Sequence, residues 1–373
     1  MKRISTSNTS CKQSLPVIND NNEIISCIDL FCGAGGLTHG LRKAGINVIA
    51  GIDLDPQCRF PYETNNLSTF IEKDIHEVSG AELIKLFENA KVKMLAGCAP
   101  CQPFSTYSQP NRQSRNDNKW DLVSSFGRLV KESKPDLITM ENVPHLLRHE
   151  VFREFLKTLK QYNVWYEVVK CQQYGVPQTR KRLVLIASLL GEVKLLSPNE
   201  VESRRTTVRQ AISDLPAIEA GQCDKNDPLH VASSLSEMNL RRIRASKPGG
   251  TWEDWDSSLV ASCHRKGSGQ TYRSVYGRME WDAPAPTITT QCFGFGNGRF
   301  GHPEQDRAIS LREAAILQTF PTSYKFLDSG ERVKFNILGR LIGNAVPVRL
   351  GEIVGRSIVA HLQEYGLLDE STE

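Results

Sequence analysis

Short apolar runs alternate with amphipathic stretches from residue 23 to about residue 188, and this alternation constrains the fold more than any other feature. Each run is continuously apolar, as in strands that are buried on both faces of a parallel sheet. The runs cover residues 24–30, 48–52, 92–97, 137–140 and 183–187, and a further strand is expected at residues 69–73. The helical stretches between them cover residues 36–44, 81–88, 122–132 and 151–162. The pattern predicts an α/β fold with a doubly wound, mostly parallel sheet that binds ligands at the carboxyl ends of its strands.

The alternation stops near residue 190 and divides the chain. Residues 191–306 are rich in Pro, Gly, Ser and Arg with weak periodicity, which predicts a smaller, irregular domain. Helical periodicity returns at residues 310–318 and 346–362. We therefore expect residues 307–373 to complete the first domain, formed by residues 23–190, with the irregular domain as an insertion. Residues 1–22 are polar and rich in turn formers, and we expect a flexible N-terminal arm.

Composition narrows the class of protein. The 373 residues carry a net charge of +4, with 39% hydrophobic and 24% charged residues, which is ordinary for a globular protein and permits a nucleic-acid partner. Ten cysteines lack both a regular spacing and a secretory signal, so we expect reduced thiols and a cytoplasmic location. No apolar run approaches the roughly 20 residues that span a bilayer, so we expect no membrane association.

The segment DLFCGAGGL at residues 29–37 predicts a ligand-binding turn between a strand and a helix. Glycines there let the backbone approach a ligand at a helix N-terminus. Asp53 ends the next strand, where an acid can bind ribose hydroxyls, and Asp74 follows a third strand, where it could accept from an adenine amino group. Together they suit an adenosyl ligand without a pyrophosphate, such as S-adenosylmethionine. The alternative is a tight packing turn with solvated acids.

Cys101 is a candidate nucleophile because it follows an apolar strand and lies between Pro100 and Pro103, which exclude a helix. A buried structural cysteine is one alternative. Cys98 and Cys101 also form a C-x-x-C, which could be a redox pair or half a zinc site. No second such pair occurs in the sequence, so we expect no metal.

Glu141 follows the apolar strand DLITM, so its carboxyl is expected at the sheet edge beside Cys101, where it could donate a proton to a ring nitrogen. A helix N-terminal acid or a surface charge is the alternative. Arg180 and Arg182 in QYGVPQTRKR share one face of an extended chain, so both could reach one anion or carbonyl. Simple solvation of both arginines is the other possibility.

A basic, aromatic stretch lies within the irregular region. Residues 241–278 hold eight Lys or Arg against three Asp or Glu, with four interleaved aromatics: Trp252, Trp255, Tyr272 and Tyr276. This composition is typical of a nucleic-acid surface. The aromatics could equally form a small core.

Over nearly its whole length the chain resembles the DNA (cytosine-5)-methyltransferase family of the bacterial restriction–modification type. The resemblance rests on ordered blocks. These are DLFCGAGGL, Asp53, Asp74-Ile75, GCAPCQPFS at 97–105, ENV at 141–143, QYGVPQTRKR, RAISLREAAILQTFP at 307–321 and GNAVP at 343–347. It implies the Rossmann-like fold of S-adenosylmethionine-dependent methyltransferases, with residues 191–306 as the target recognition domain.

The resemblance also implies catalytic roles. The Cys101 thiolate would add to C6 of a cytosine that is flipped out of the duplex, and C5 would then take the methyl group. Glu141 would protonate or hydrogen-bond N3, Arg182 would hold the cytosine carbonyl oxygen, and Arg180 would support that pocket or a phosphate.

Binding residues follow from the same resemblance. The cofactor set would be Phe31, Gly33, Gly35, Asp53, Asp74, Ile75, Pro100 and Asn344. Leu54 departs from the family, since some members carry an aromatic residue there to stack on adenine. The DNA set would be Ser105, Arg112 and Arg115 in a mobile loop, Arg278 in the basic stretch, and Thr287 and Thr289 in the TITT segment near the flipped base.

Rival functions differ in what they require. A tRNA methyltransferase of the same fold tends to have a much shorter recognition region. A non-enzymatic DNA-binding relative would not need the Cys–Glu–Arg set, and a nicotinamide oxidoreductase would need a third glycine where Thr38 stands. The sequence therefore predicts a monomeric, metal-free enzyme that methylates duplex DNA and releases S-adenosylhomocysteine. We expect it to be the protective partner of a restriction endonuclease.

Overall fold

The computed structural model describes residues 24–88, 90–100 and 121–368, and within them the strands form one seven-stranded sheet. The predicted N-terminal arm, residues 1–22, lies outside this range. The strands are β1 (Ile25–Leu30), β2 (Asn47–Asp53), β3 (Thr69–Glu72), β4 (Val92–Gly97), β5 (Leu137–Asn142), β6 (Asn163–Lys170) and β7 (Lys181–Ser188).

The sheet has the strand order β3-β2-β1-β4-β5-β7-β6. Strands β1 to β5 pair in parallel, whereas β7 pairs antiparallel with both β5 and β6. The predicted doubly wound, mostly parallel sheet is therefore confirmed. The order reverses between β1 and β4, and a crevice for ligands is expected at such a reversal.

Two strand predictions need correction. Residues 183–187 were expected to behave as a parallel strand, but they lie in the antiparallel β7. Strand β6 was missed because it is an edge strand whose side chains are mostly exposed, so its sequence, NVWYEVVK, carries only weak apolar patterning.

Helices cover both faces of the sheet, since separate clusters of buried side chains lie on each side. They are α1 (Gly36–Lys43), α2 (Arg59–Asn66), α3 (Gly80–Leu86), α4 (Asp121–Ser133), α5 (Glu150–Thr158), α6 (Val208–Ile212), α7 (Glu237–Ala245), α8 (Leu311–Leu317), α9 (Phe335–Asn344) and α10 (Val348–Glu364). Local sequence explains several starts. Ser79 and Ser310, for example, form capping boxes with Glu82 and Glu313 at α3 and α8.

Helix α10, in the segment that follows the irregular region, packs against α1 and the sheet. Ile353 and Ile358 of α10 share a buried cluster with Ile25 of β1. The two helices approach closely at Gly40, where a Cβ atom would lie 2.3 Å from the carbonyl oxygen of Val348. A side chain there would force the helices apart.

The irregular region contains short helices and turns among its described residues, and two of its aromatic side chains form a small core, which is one of the two alternatives that the sequence left open. Trp252 and Trp255 are buried with Leu259. At the other end, Val193 and Val201 share a cluster with the sheet. The division at residue 190 stays a prediction. Within the described ranges, no helix combines the length and apolar character needed to cross a bilayer.

Candidate functional site

A cavity of about 760 Å³ opens at the reversal of strand order. Its walls come from the carboxyl ends of β1, β2, β4 and β5, from the start of β7, and from two later segments around residues 290 and 340. Lining residues from the predicted set are Phe31, Gly33, Asp53, Pro100, Glu141, Arg180, Arg182 and Asn344. Tertiary folding therefore gathers into one space side chains spread over more than 300 residues of sequence.

The glycine-rich turn forms one end of this cavity. Phe31, Gly33 and Gly35 all have positive φ angles, of 58°, 52° and 86°. The direction in which a Gly33 Cβ would point is open space, whereas one on Gly35 would lie 2.4 Å from Nδ2 of Asn66. Gly33 therefore leaves room for a ligand, and Gly35 makes room for packing.

Asp53, at the end of the neighbouring strand β2, binds the backbone of the glycine-rich turn. Its Oδ2 accepts a hydrogen bond of 2.9 Å from the Gly33 amide, and its Oδ1 accepts one of 3.0 Å from the Asp55 amide. Burial raises the pKa of Asp53, and these hydrogen bonds oppose the rise. The carboxylate is held rigidly at the cavity wall, while Leu54 beside it is 63% exposed.

Asp29 is a cavity residue to which sequence reasoning gave no role. Its Oδ2 accepts a 2.7 Å hydrogen bond from the Thr38 hydroxyl, and its buried Oδ1 has no hydrogen-bond partner in the described part of the chain. Burial raises the pKa of Asp29 to about 7. The available signal was an acid that ends an otherwise apolar strand segment.

Glu141 forms the opposite end of the cavity. Its Oε2 accepts a hydrogen bond of 2.9 Å from the Cys98 thiol, and its Oε1 lies 2.6 Å from Nε of Arg182 in an ion pair. Oε1 is buried yet accepts no hydrogen bond of good geometry from the described residues. A carboxylate oriented by two neighbours with acceptor capacity to spare is suited to bind a polar ring edge.

Asn142 next to Glu141 fixes the strand end that leads to Cys101. Its side-chain amide donates to the carbonyl of Ala99 at 3.1 Å, and its Oδ1 accepts from the Val143 amide at 2.8 Å. The sequence indicated ENV as a block but assigned this asparagine no task. Its hydrogen bonds join the end of β4 to the end of β5.

Arg180 and Arg182 do not converge on one group, contrary to the expectation from their spacing. Arg182 faces Glu141, whereas Arg180 is buried and donates to the carbonyls of Ile288 and Gly343, at 2.9 and 3.3 Å. Burial lowers the pKa of Arg180. Arg180 thus connects the TITT segment to the GNAVP block through its two terminal nitrogens, while its buried Nε, beside the cavity, has no hydrogen-bond partner among the described residues.

The predicted adenine-binding pair lies apart from the cavity wall. Asp74 is partly exposed and binds its own neighbour His76, with 2.7 Å between Oδ1 and Nδ1, while Ile75 is buried in the core beneath α3 and α4. In their place, the cavity is bordered by Asp55 and Arg340, which form an ion pair. Sequence reasoning missed this pair because its members are 285 residues apart.

The predicted DNA contacts divide into three groups. The structure corrects the prediction that Arg278 contacts DNA. Arg278 is 5% exposed and donates to backbone carbonyls including those of Ile243 and His302, so it holds the irregular region together. Thr287 donates to the Thr179 carbonyl at 3.2 Å, and the Thr289 backbone lies against Gly343. Cys101, Ser105, Arg112 and Arg115 lie outside the described residues.

Among the described residues, no group of three or more His, Cys, Asp or Glu side chains is arranged to hold a metal ion. The site combines a glycine turn, the Asp53 carboxylate at the end of β2 and the oriented Glu141 carboxylate at a sheet reversal. In open α/β sheets, ligands bind in the crevice at such a reversal.

Comparisons with known proteins identify the family. The sequence profile of the C-5 cytosine-specific DNA methylase family matches residues 25–360. The chain is 54% identical over 341 residues to the Type II methylase M.HgiDII of Herpetosiphon aurantiacus, covering 90% of this chain and 95% of that protein. It is 34% identical over 354 residues to the Type II methyltransferase M1.BsuMI of Bacillus subtilis, covering 89% and 80%.

Solved structures support the fold. A putative DNA modification methyltransferase encoded within an Escherichia coli prophage superposes with a TM-score of 0.68 at 23% identity, over 91% of this chain and 99% of that one. The Dnmt2 methyltransferase of S. pombe superposes with a TM-score of 0.57 at 18% identity, over 91% and 98%. The chain belongs to the C-5 cytosine-specific DNA methylase family.

Proposed function

We propose that this protein transfers a methyl group from S-adenosylmethionine to C5 of a cytosine in a short duplex DNA sequence. The observation that carries the proposal is the cavity itself, with a rigid glycine–acid cradle at one end and the oriented Glu141 carboxylate at the other. Relatives named as Type II methylases further support a modification role beside a restriction endonuclease. Such an enzyme would act as a monomer on DNA in the cytoplasm.

The donor fits the end of the cavity formed by the glycine turn. When bound, S-adenosylmethionine supplies an electrophilic methyl group. Asp53 would hold the ribose hydroxyls, the open space at Gly33 admits the ligand, and the unpartnered Oδ1 of Asp29 offers an acceptor for a cationic or amino group. Pro100 and Asn344 would border the donor from the remaining walls.

The cytosine that accepts the methyl group fits the other end of the cavity, which is formed by Glu141. The Cys101 thiolate would form a bond to C6, which moves electron density onto C5 while Glu141 protonates or hydrogen-bonds N3. After C5 has taken the methyl group it loses its proton, and the S–C6 bond breaks to restore the aromatic ring. Arg182, which pairs with Glu141, would hold the cytosine carbonyl oxygen.

Base flipping is required because C5 and C6 of a paired cytosine are closed off by stacking and by the backbone. The cost is a few kcal/mol. Oε1 of Glu141 would recover part of this free energy by accepting a hydrogen bond from the Watson–Crick edge of the flipped cytosine, which no longer pairs with guanine. The TITT segment at residues 287–290, to which Arg180 donates a hydrogen bond, would support the flipped nucleotide.

Expression in a host without DNA methylation, followed by bisulfite sequencing, tests the activity and reveals the recognition sequence. We expect protected cytosines at one short motif. Uniformly unmodified DNA would refute the proposal, and methylation confined to tRNA from the same cells would favour the rival substrate.

A covalent trap tests the chemistry. A duplex with 5-fluorocytosine at the motif blocks loss of the C5 substituent, so with donor present the adduct should persist through denaturing electrophoresis. Cys101→Ser should abolish the adduct, and Cys98→Ser in the same C-x-x-C is the matched control that should retain it. Absence of an adduct with the wild-type enzyme, despite methylation of ordinary DNA, would exclude the covalent route.

A further inference from the structure

The acids and cations that line the cavity do not pair off evenly. The described part of its wall holds four acids and three cations, namely Asp29, Asp53, Asp55 and Glu141 and then Arg180, Arg182 and Arg340. Arg182 pairs with Glu141, and Arg340 pairs with Asp55. Asp53 accepts two backbone amides instead. Asp29 therefore remains without a cation among the residues that the structure describes.

We propose that Asp29 is the counter-ion of the ammonium group of the donor, and that donor binding drives a proton from the Asp29 carboxyl group into solvent. This inference rests on the proposed function and adds a charge-recognition task at the donor site. S-adenosylmethionine brings the positive charge, because its amino acid part carries an ammonium group. Asp29 was not among the binding residues predicted from the sequence.

Burial gives Asp29 its need for such a partner. The residue is 1% exposed, and its Oδ1 has no hydrogen-bond partner in the described part of the chain. A buried carboxylate without a counter-ion is costly, so the group keeps its proton until a cation binds nearby.

The surroundings of Asp29 offer no substitute cation. The titratable side chains that face it within the described ranges are an acid, two thiols and a phenol: Asp53 on β2, Cys27 on β1, Cys32 in the glycine turn and Tyr62 on α2. Burial raises the pKa of both thiols and of the phenol, so these three groups stay neutral. Strand β4 places the uncharged Ala96 opposite Asp29. Asp53 adds negative charge, which further disfavours ionisation of Asp29.

Thr38, which stands where a dinucleotide-binding turn would have its third glycine, orients the carboxyl group. Its hydroxyl donates to Oδ2 of Asp29 at 2.7 Å and lies 3.2 Å from the Tyr62 hydroxyl, which in turn lies 2.9 Å from the hydroxyl of Ser68. This buried chain engages Oδ2 on the side of α1. Oδ1 is therefore the oxygen that is left for a ligand.

The direction of proton movement follows from the two states of the site. Burial raises the pKa of Asp29 to about 7 in the donor-free protein. At about pH 6 roughly nine molecules in ten therefore carry the proton. An ammonium group within about 4–6 Å favours the ionised carboxylate, so binding breaks the O–H bond, leaves its electron pair on Asp29 and passes the proton to the buffer. Donor affinity should rise with pH up to about 7 and level off above it.

Titration calorimetry in buffers of different ionisation enthalpy counts the released protons. The probes are S-adenosylhomocysteine, which keeps the ammonium group, and methylthioadenosine, which lacks the ammonium and carboxylate groups but keeps ribose and adenine. At about pH 6 we expect the wild type to release about 0.9 proton with the first probe and almost none with the second. Because both probes carry ribose, a proton exchanged at Asp53 would appear with both and cancel in the difference.

Two substitutions assign the proton to Asp29. Asp29→Asn should abolish the difference between the probes and weaken S-adenosylhomocysteine about tenfold at about pH 7.5, while unchanged binding of methylthioadenosine verifies the fold. Thr38→Val removes a hydrogen bond that lowers the pKa of Asp29, so the pH at which affinity levels off should move up by about one unit. Thr38→Ser keeps the hydroxyl and should leave that pH unchanged. Asp214→Asn at an exposed position is the matched control for loss of one carboxylate and should behave as the wild type.

The outcomes separate this inference from the proposed function. Equal proton release with both probes, or an undiminished difference in Asp29→Asn, would overturn the assignment of Asp29. A wild type that methylates DNA yet shows no difference between the probes would refute this inference and leave the proposed function standing. A wild type that binds neither S-adenosylmethionine nor S-adenosylhomocysteine would refute the proposed donor, and the task of Asp29 with it.

Discussion

The Cys98 thiol donates a hydrogen bond of 2.9 Å to Oε2 of Glu141, so the first cysteine of the C-x-x-C contacts the carboxyl group that the proposed reaction depends on. This contact gives Cys98 a positioning task that involves neither a metal nor a disulfide. Arg182 engages the other carboxylate oxygen, so the two neighbours hold the side chain from both sides.

Two substitutions of Cys98 should therefore differ in their effect on kcat. Cys98→Ala removes the donor, and we expect kcat to fall about fivefold, for a hydrogen bond of about 1 kcal/mol. Cys98→Ser keeps a donor and should stay within about twofold of the wild type. The measurement is kcat over a range of pH, where only the alanine variant should shift the profile. Equal effects of both substitutions would contradict this positioning task.

Substitution of the two arginines of QYGVPQTRKR should have different effects, one on stability and one on catalysis. Arg180→Ala strands the buried carbonyls of Ile288 and Gly343 and should lower the free energy of unfolding by about 3 kcal/mol. Arg182→Ala leaves the fold intact and should lower kcat by about two orders of magnitude, because it removes the cation beside Glu141. Urea unfolding and steady-state kinetics on both variants distinguish the two effects. A stable but inactive Arg180→Ala enzyme would show that its guanidinium acts on the substrate.

Asp29 should make the stability of the donor-free enzyme depend on pH. Its pKa rises on folding from 3.8 to about 7, so between these values the folded state keeps a proton that the unfolded state releases. The free energy of unfolding should therefore decrease as pH rises from about 4 to 7, by at most about 4 kcal/mol. Asp29→Asn should lack this decrease, whereas Asp214→Asn at an exposed position should keep it. Urea unfolding across this range provides the measurement, and parallel curves for Asp29→Asn and the wild type would disprove the effect.

Gly40 should be essential for packing of the return segment. Gly40→Ala places a methyl group 2.3 Å from the Val348 carbonyl and should destabilise the protein by about 2 kcal/mol as α1 and α10 separate. Gly267→Ala, where a Cβ would meet nothing within 4 Å, is the control and should change the melting temperature by no more than about 1 °C. Unchanged melting of Gly40→Ala would mean that the helices have freedom to move.

Much of this protein could be predicted from local patterns. The apolar runs predicted most of the strands of the sheet, and DLFCGAGGL predicted the strand-to-helix turn whose positive φ angles the structure shows at the cavity. Strand β6 escaped because an exposed edge strand has little apolar content to detect. The antiparallel direction of β7 escaped because strand direction depends on the path of the connecting chain, which sequence periodicity does not encode.

The contacts that individual side chains make were the least predictable feature. Arg180, Arg182 and Arg278 are chemically the same residue, yet one holds a backbone turn, one faces Glu141 and one is buried in the irregular region. Which carbonyls or carboxylates come within reach of these guanidinium groups depends on segments more than 20 residues away. The ion pair of Asp55 with Arg340 at the cavity is a further case, since no local signal joins its members.

The sequence by itself determined the class of fold, the order of the motifs and the identity of the groups available for chemistry, because these depend on local periodicity and residue type. Only the tertiary structure decided which of those groups share one cavity. Long-range packing brings Cys98 and Arg182 against the Glu141 carboxylate. It also places Asp29, whose Oδ1 has no hydrogen-bond partner in the described part of the chain, at the wall of the same cavity.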